Sequence, residues 1–411
     1  MPLSASTAVS GCLNTVSRRV AIPEIQDVGN KEEMTAKKNR KLRAGFTTGA
    51  AAAAAAKGAL QFLLEARPPH GVEITFLNGE KKNIVIDSVL REGCCRAACT
   101  VIKDAGDDPD VTHKAVIGAR VRLCPGTGSI RKNAVPGVCI SGGVGVGTVT
   151  KPGLEVPPGE PAINKGPRKM IKQEVLAVLR DHHEKKVDRI HVEVFVPQGV
   201  ELAKKTLNSR LGILGGLSIL GTTGIERPMS HEAYIATIDA ALSVARESGI
   251  ERVVLTTGRR SERFAQAAWP EIPGEAFIQI GDFFQKSMAA SVHQRLGAVM
   301  ICVFFGKAVK MAQGVPHTHA AKSRLTLERL SGWALEESGD PVLAQEILGA
   351  NTARHAFDIL KDRHLNVIVR VGLRMVMAAR EFSGHLLDVR GIIFDYDGRA
   401  VFDSDASMHE Q

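Results

Sequence analysis

Apolar and polar positions along this chain follow two different rhythms, and the change falls near its middle. Ala50 to Ala56 followed by Lys57-Gly-Ala-Leu-Gln-Phe-Leu-Leu-Glu65 is a strong helix by propensity, with Thr47 or Thr48 placed to cap its first amides. Alanine has no chemistry of its own, so the run reads as tight helix packing. After Pro68-Pro69 come short extended pieces: Val72–Phe76, an Asn78-Gly79 hairpin turn, then Asn83–Ile86. Thr100–Lys103, Ala115–Leu123, Val138–Ser141 and Ile190–Val196 are further strands, interrupted by a helix from about Pro167 to His182. Residues 41–197 therefore predict an α+β domain.

From Gly199 onward strands and helices alternate. Gly216–Leu220 reads as a buried strand, followed by a helix with Ile235, Ile238, Leu242 and Ala245 on one stripe. Strands at Arg252–Leu255, Ala276–Ile280 and Ala298–Phe304 are separated by helices from about Glu262, over Phe283–Leu296 and from near Lys307. That alternation predicts a mostly parallel sheet, a Rossmann-like α/β domain over 198–411, with a helical cluster at about 324–381 and extended pieces from Leu387 to Val401. Residues 1–40 lack a sustained period and read as a mobile tail.

Composition narrows the functional classes. Aromatics make up 4% of the chain, too few for a stacking face for single-stranded nucleic acid. The net charge of +9 includes a basic tail, and the remainder suits an anionic small molecule as readily as a polyanion. No stretch approaches the roughly 20 apolar residues that span a bilayer. A charged head with an apolar block is missing from the N-terminus, and the seven scattered cysteines suit a reducing compartment, so a cytoplasmic location is expected.

Three loops are expected at the carboxyl ends of parallel strands, where ligands lodge in open α/β sheets: Gly221-Thr222-Thr223-Gly224, Thr256-Thr257-Gly258 and Gly281-Asp282. Glycine admits a ligand close to the backbone, threonine offers hydroxyls, and an Asp after a strand can accept from ribose hydroxyls. No GxxxxGK[ST] phosphate loop is present. Val101-Ile-Lys-Asp-Ala-Gly-Asp-Asp-Pro-Asp-Val-Thr-His113 holds four carboxylates within seven residues, open to turn capping, ligand contact or a hard cation. Ser141–Gly147 alternates glycine with valine at strand period, a pattern for close backbone or flat-ligand approach. His317 and His319 lack a compact set of partner ligands, so no metal site is expected. They could pair with carboxylates, shuttle a proton, or simply pack.

Together these motifs resemble one family. Leu42-Arg-Ala-Gly-Phe-Thr-Thr-Gly49, the Val101–His113 run, Gly143-Val-Gly-Val-Gly-Thr-Val-Thr-Lys-Pro-Gly153, Pro158-Gly-Glu-Pro-Ala-Ile-Asn164 and Ser218-Ile-Leu-Gly-Thr-Thr-Gly-Ile-Glu-Arg-Pro-Met-Ser230 are similar to the signatures of cobalt-precorrin-5B C1-methyltransferases. The chain departs from that pattern at Ala51, at Thr256–Glu262, at Phe283–Lys286 and at Phe305. The resemblance implies methyl transfer from S-adenosylmethionine to ring carbon C1, with cobalt only as part of the substrate. The partner implied is a small-molecule corrinoid with several carboxylates, with neither nucleic acid nor membrane; a homo-oligomer is compatible. On that reading the first domain faces the substrate and the second the cofactor. Thr47, Thr48, Lys103, Asp107, Asp108, Lys151, Arg227, Lys307 and His319 are then candidates for the ring, as is Arg168. The three loops are candidates for the cofactor, and Asp104, His113 and His317 for acid–base work. A nucleotide-dependent kinase or ligase and a non-catalytic corrinoid carrier are the rival classes.

Overall fold

The computed structural model describes residues 42–125, 137–182, 187–319 and 327–407. The tail expected over 1–40 lies outside the described residues. Arg43–Gln411 groups as one unit, built around two large apolar cores.

Strand β1 (Gly45–Phe46) leads into helix α1 (Thr48–Glu65), with Thr47 as its N-cap. All seven alanines from Ala50 to Ala56 are fully buried. With only methyl groups to place, α1 can lie close both to a sheet and to a second helix. Strands β2 (Gly71–Thr75) and β3 (Lys81–Val85) form the expected hairpin. Strands β4 (Ser88–Gly93), β5 (Arg96–Ile102), β6 (Val116–Pro125), β7 (Gly137–Gly142) and, after β8 (Thr148–Val149) and helix α2 (Lys165–Asp181), β9 (Val187–Phe195) follow. They form a sheet in the order β4-β5-β6-β9-β7, antiparallel except for the β7–β9 pair. Ala97, Cys99 and Val101 of β5 and Ile117, Ala119 and Val121 of β6 point to the core under α1 and α2. The alternate positions carry Arg96, Arg120 and Arg122, as a one-sided antiparallel sheet requires.

Residues 199–226, expected with the second sheet, pair instead with this first half. After the short helix α3 (Gly199–Ala203), β10 (Ile213–Leu214) pairs with β8, and β11 (Ile225–Glu226) with β1. The strand expected over Gly216–Leu220 is only a pair of isolated bridges, Leu217 to Val146 and Ile219 to Ile163. The glycine-rich run ends as a strand at Gly142, and its purpose is backbone crossing. At Gly145 (φ +74) a Cβ would lie 1.9 Å from the Val196 carbonyl oxygen, which leaves room for no side chain.

The second half follows its predicted alternation closely. Helix α4 (His231–Glu247), β12 (Arg252–Thr256), α5 (Arg259–Ala268), β13 (Phe277–Gln279), α6 (Phe284–His293), β14 (Ala298–Phe304) and α7 (Phe305–Ala312) come first. The helices α8 (Leu327–Ser338), α9 (Pro341–Leu348), α10 (Ala353–Leu360) and α11 (Leu365–Phe382) precede β15 (Asp388–Phe394) and β16 (Ala400–Asp403). The sheet order is β13-β12-β14-β15-β16, with four parallel strands and an antiparallel edge. Val299, Ile301 and Val303 face one core and Met300 and Cys302 the other, so both faces are covered and the strand reads as a continuous apolar run. Strand order reverses between β12 and β14, and in open α/β sheets ligands lodge outside the carboxyl ends of the strands at such a point.

The packing of α1 leaves no room for larger side chains. Ala53→Leu is expected to lower stability by about 1–3 kcal/mol through overpacking, read as a shift in the urea midpoint at unchanged slope.

Candidate functional site

The aspartate-rich loop closes around one buried cation. Lys103, at the end of β5, is 1% exposed, and its ammonium meets Asp110 and, at 2.8 Å, Glu226 of β11. The Thr112 hydroxyl and amide also donate to Asp110. Burial pushes Asp110 up, but Lys103 and the Thr112 bonds outweigh it and hold the carboxyl below its ordinary value. For Glu226 burial wins over Lys103, with Asp110 and Asp108 adding repulsion, and its pKa is raised. The loop's remaining carboxylates each accept from the chain. Asp107 accepts the Arg43 amide at 2.8 Å and Asp108 the Met229 amide at 2.8 Å. Asp104 forms a two-point pair with the Arg43 guanidinium and accepts the Gly106 amide, and chiefly the Arg43 bond brings its pKa down to about 2. His113 Nδ1 accepts the Ala105 amide at 3.1 Å. The loop's carboxylates thus hold the Lys103 and Arg43 cations and backbone amides near and far in the chain. Lys103, a candidate for the ring, is enclosed between two carboxylates.

Thr47 and Thr48, also candidates for the ring, are buried and structurally committed. Thr47 Oγ1 accepts the Ala50 amide, and Thr48 Oγ1 accepts the Leu220 amide at 3.0 Å. Gly221–Gly224 therefore sits against the N-terminus of α1, not beyond a strand of the parallel sheet as the pattern predicts. The Thr47 amide donates to Gly224 and the Leu77 amide to Thr223. At Gly221 (φ +132) a Cβ would lie 2.3 Å from Thr47 Oγ1, so glycine is required for the clamp. Thr222 and Thr223 remain exposed.

The other two loops lie where expected. Thr256-Thr257-Gly258 ends β12, and Gly281-Asp282 follows β13. The Asp282 carboxylate pairs with Lys307 from the start of α7, and its Oδ1 accepts the Thr318 hydroxyl at 3.0 Å. Burial raises Asp282, but Lys307 and Thr318 outweigh it, so it is ionised below its ordinary range. Lys307 and Lys310 both reach the Thr318 carbonyl; burial, with repulsion from Lys307, lowers the Lys310 pKa. The His317 ring stacks on His231 at 5.2 Å between centroids and meets Phe283 edge-on at 4.8 Å, with His319 6.2 Å away. Tyr234 packs on Phe283 as well.

Most predicted residues thus fall into two groups. Thr47, Thr48, Lys103–His113 and Gly221–Arg227 form one; Thr256–Gly258, Gly281, Asp282, Lys307, His317 and His319 form the other. The segment Arg227–His231 links them, since Met229 is held by Asp108 while His231 stacks on His317. Lys151 joins neither group and pairs with Glu275, and Arg168 is tied to Glu160 and the Ile163 carbonyl. Arg43, Glu226, His231 and Tyr234 were not legible as partners, because each is distant in sequence from the residue it meets. Among the described residues, no cluster of His, Cys, Asp and Glu could hold a metal ion. No helix among them is long and apolar enough to cross a membrane.

An α/β protein with these two loop sets can be compared with known sequences. The sequence model of the CbiD family matches residues 35–228, and that of the CbiD C-terminal domain matches residues 317–405. A protein of Priestia megaterium named cobalt-precorrin-5B C(1)-methyltransferase is 43% identical, covering 89% of this chain and 98% of its own length. One of the same name from Leptospira borgpetersenii serovar Hardjo-bovis is 41% identical, covering 87% and 94%. A crystal structure titled cobalamin biosynthesis protein (cbiD), from Archaeoglobus fulgidus, is 26% identical, covering 67% of this chain and 80% of its own, with a TM-score of 0.36. This chain belongs to the CbiD family.

Lys103→Met keeps the stem and removes the charge, leaving the half-buried Asp110 and Glu226 carboxylates without their cation. It is expected to cost about 3–5 kcal/mol; a loss under about 1 kcal/mol in chemical denaturation would show that they find other partners. Asp104 has a folded pKa below its unfolded one. Its pairing therefore stabilises above the unfolded value and is lost as pH falls toward about 2. An NMR titration should place its midpoint near 2, moving up to the ordinary carboxyl range in Arg43→Met.

Proposed function

We propose that this chain transfers a methyl group from S-adenosylmethionine to C1 of cobalt-precorrin-5B, giving cobalt-precorrin-6A in anaerobic cobalamin synthesis. The observation that carries this reading is kinship to proteins of that name across nearly their whole length. We read the second sheet as a Rossmann-like donor site and the first half as the substrate side. Bound at the carboxyl ends of β12, β13 and β14, the donor supplies a sulfonium methyl; C1 gains the carbon–carbon bond while sulfur keeps the electron pair of the bond that breaks.

Two features of these loops fit a nucleoside group. No atom lies within 4 Å of the place a Cβ would take at Gly258, so a ligand can lie on the backbone there. Asp282 presents an ionised carboxylate beside the Thr318 hydroxyl, suited to ribose hydroxyls, with Lys307 keeping it charged. The protein's task is to hold both reactants within about 3–3.5 Å along the line of transfer and to keep water out. Of the acid–base candidates, Asp104 is too weak a base near neutral pH, given its pKa of about 2. His113 offers only Nε2, since Nδ1 accepts the Ala105 amide. His317 stands beside the donor loops and is the candidate for a proton released after methylation.

Anaerobic incubation with cobalt-precorrin-5B and methyl-labelled donor should place the label on the ring, read by mass spectrometry. Ring binding without label transfer would leave a carrier instead. Asp282→Ala should weaken donor affinity about tenfold while ring affinity holds; unchanged donor affinity removes Asp282 from the site.

A further inference from the structure

Helix α2 and the β2–β3 hairpin enclose a hollow of about 1060 Å³ whose lining is strongly basic. That volume lies at the upper end for small-molecule sites, roughly 300–1,000 Å³, and exceeds what a nucleoside needs. Seven cations line it against two carboxylates. Both carboxylates are engaged: Glu73 with Lys81 at 2.8 Å, and buried Glu174 with Lys57 at 2.7 Å and the Thr75 amide at 2.8 Å. Arg168 is held as described above. Lys165, Lys169, Lys172 and Arg180 remain, all exposed and, among the described residues, without an ion pair.

Those four follow one stripe of α2, and helix stability explains only Arg180, which stands in the last turn where a cation suits the helix dipole. Lys165 and Lys169 stand at i, i+4 and Lys169 and Lys172 at i, i+3, spacings at which like charges repel. The helix has no acidic residue in its first turn to relieve them. Phe76, Leu77, Leu176 and Ala177 give the hollow an apolar part as well. A ligand that satisfies both must be large, partly apolar and multiply anionic. A sulfonium donor carries net positive charge and is repelled. A nucleic-acid strand would need stacking rings, and the lining's one aromatic, Phe76, is buried.

The Gly221–Gly224 loop borders this hollow. Thr223 accepts the amide of Leu77 in the lining, and the Gly221 carbonyl oxygen lies 2.8 Å from where a Cβ would stand on Gly166, the neighbour of Lys165. We infer that the hollow between α2 and the β2–β3 hairpin seats a ring bearing several carboxylates, with Lys165, Lys169, Lys172 and Arg180 binding its acidic edge and Thr222 at the rim. This rests on the catalytic reading above for the identity of the ring, but not for its chemistry: the same basic stripe would bind any tetrapyrrole with a carboxylate rim.

The test uses the full chain with Lys169→Glu/Lys172→Glu. A control, Lys205→Glu/Arg363→Glu, makes the same charge change at exposed positions outside the hollow. Affinity for uroporphyrin, a stable tetrapyrrole with a carboxylate rim, and KM for cobalt-precorrin-5B are measured at two salt concentrations. In the hollow variant both should weaken at least about tenfold and lose most of their salt dependence. Donor affinity and thermal midpoint should hold, since the substitutions relieve repulsion. Unchanged ring affinity, or an equal loss in the control, overturns the site. If the wild-type chain binds uroporphyrin with this dependence but moves no methyl group, the catalytic reading fails and the hollow stands. If methyl transfer keeps its KM in the hollow variant, the reverse holds.

Discussion

A single desolvated ammonium organises the first half of this protein. Lys103 lies out of water, so it must be met by anions, and Asp110 and Glu226 are the two that meet it. Their positions tie the aspartate-rich loop to a strand more than a hundred residues later. With β11 fixed, β1 pairs beside it, Thr47 and Thr48 start α1 against Leu220, and Gly221–Gly224 is pressed onto that helix end. The motifs that resemble the family's signatures are thus largely parts of one knot of chain. Several of their acidic and hydroxyl side chains hold backbone, and the exposed Thr222, Thr223 and Arg227 are what that knot presents outward.

The two candidate sites differ in how far their cations are answered by anions. Along α2, cations accumulate with few anions to answer them, which favours a polycarboxylate and disfavours a cationic donor. At the ends of β12–β14 Lys307 answers Asp282 and Arg210 answers Glu262, while Arg259 and Arg260 open α5 directly after Gly258. The rings of Phe283, His317 and Tyr234 pack together on the loop side of this sheet end, and burial first and Asp282 second raise the Tyr234 pKa.

Much of the architecture follows from periodicity. The alanine run of α1, the hairpin about Asn78-Gly79, the alternation from Ile235 to Phe304 and the helices before Phe382 all match local patterns, because burial on one or two faces imposes a period of 3.6 or 2. Local pattern misplaced Gly216–Leu220, whose apolar run is as well suited to bridging between loops as to a central strand. The basic stripe of α2 was readable as spacing, but its meaning was not, since repulsion on a helix gains significance only when a concave surface faces it.

The sequence by itself therefore determined most of the longer elements and the family, each of which depends on near neighbours or on long runs of residue identity. Tertiary structure alone decided which loop lies on which sheet, that Lys103 is enclosed while Lys169 is open, and that Asp104 is a partner of Arg43. Those outcomes depend on contacts between residues far apart in the chain, where no local rhythm specifies the partner and only the requirement to pair buried charge and backbone selects it.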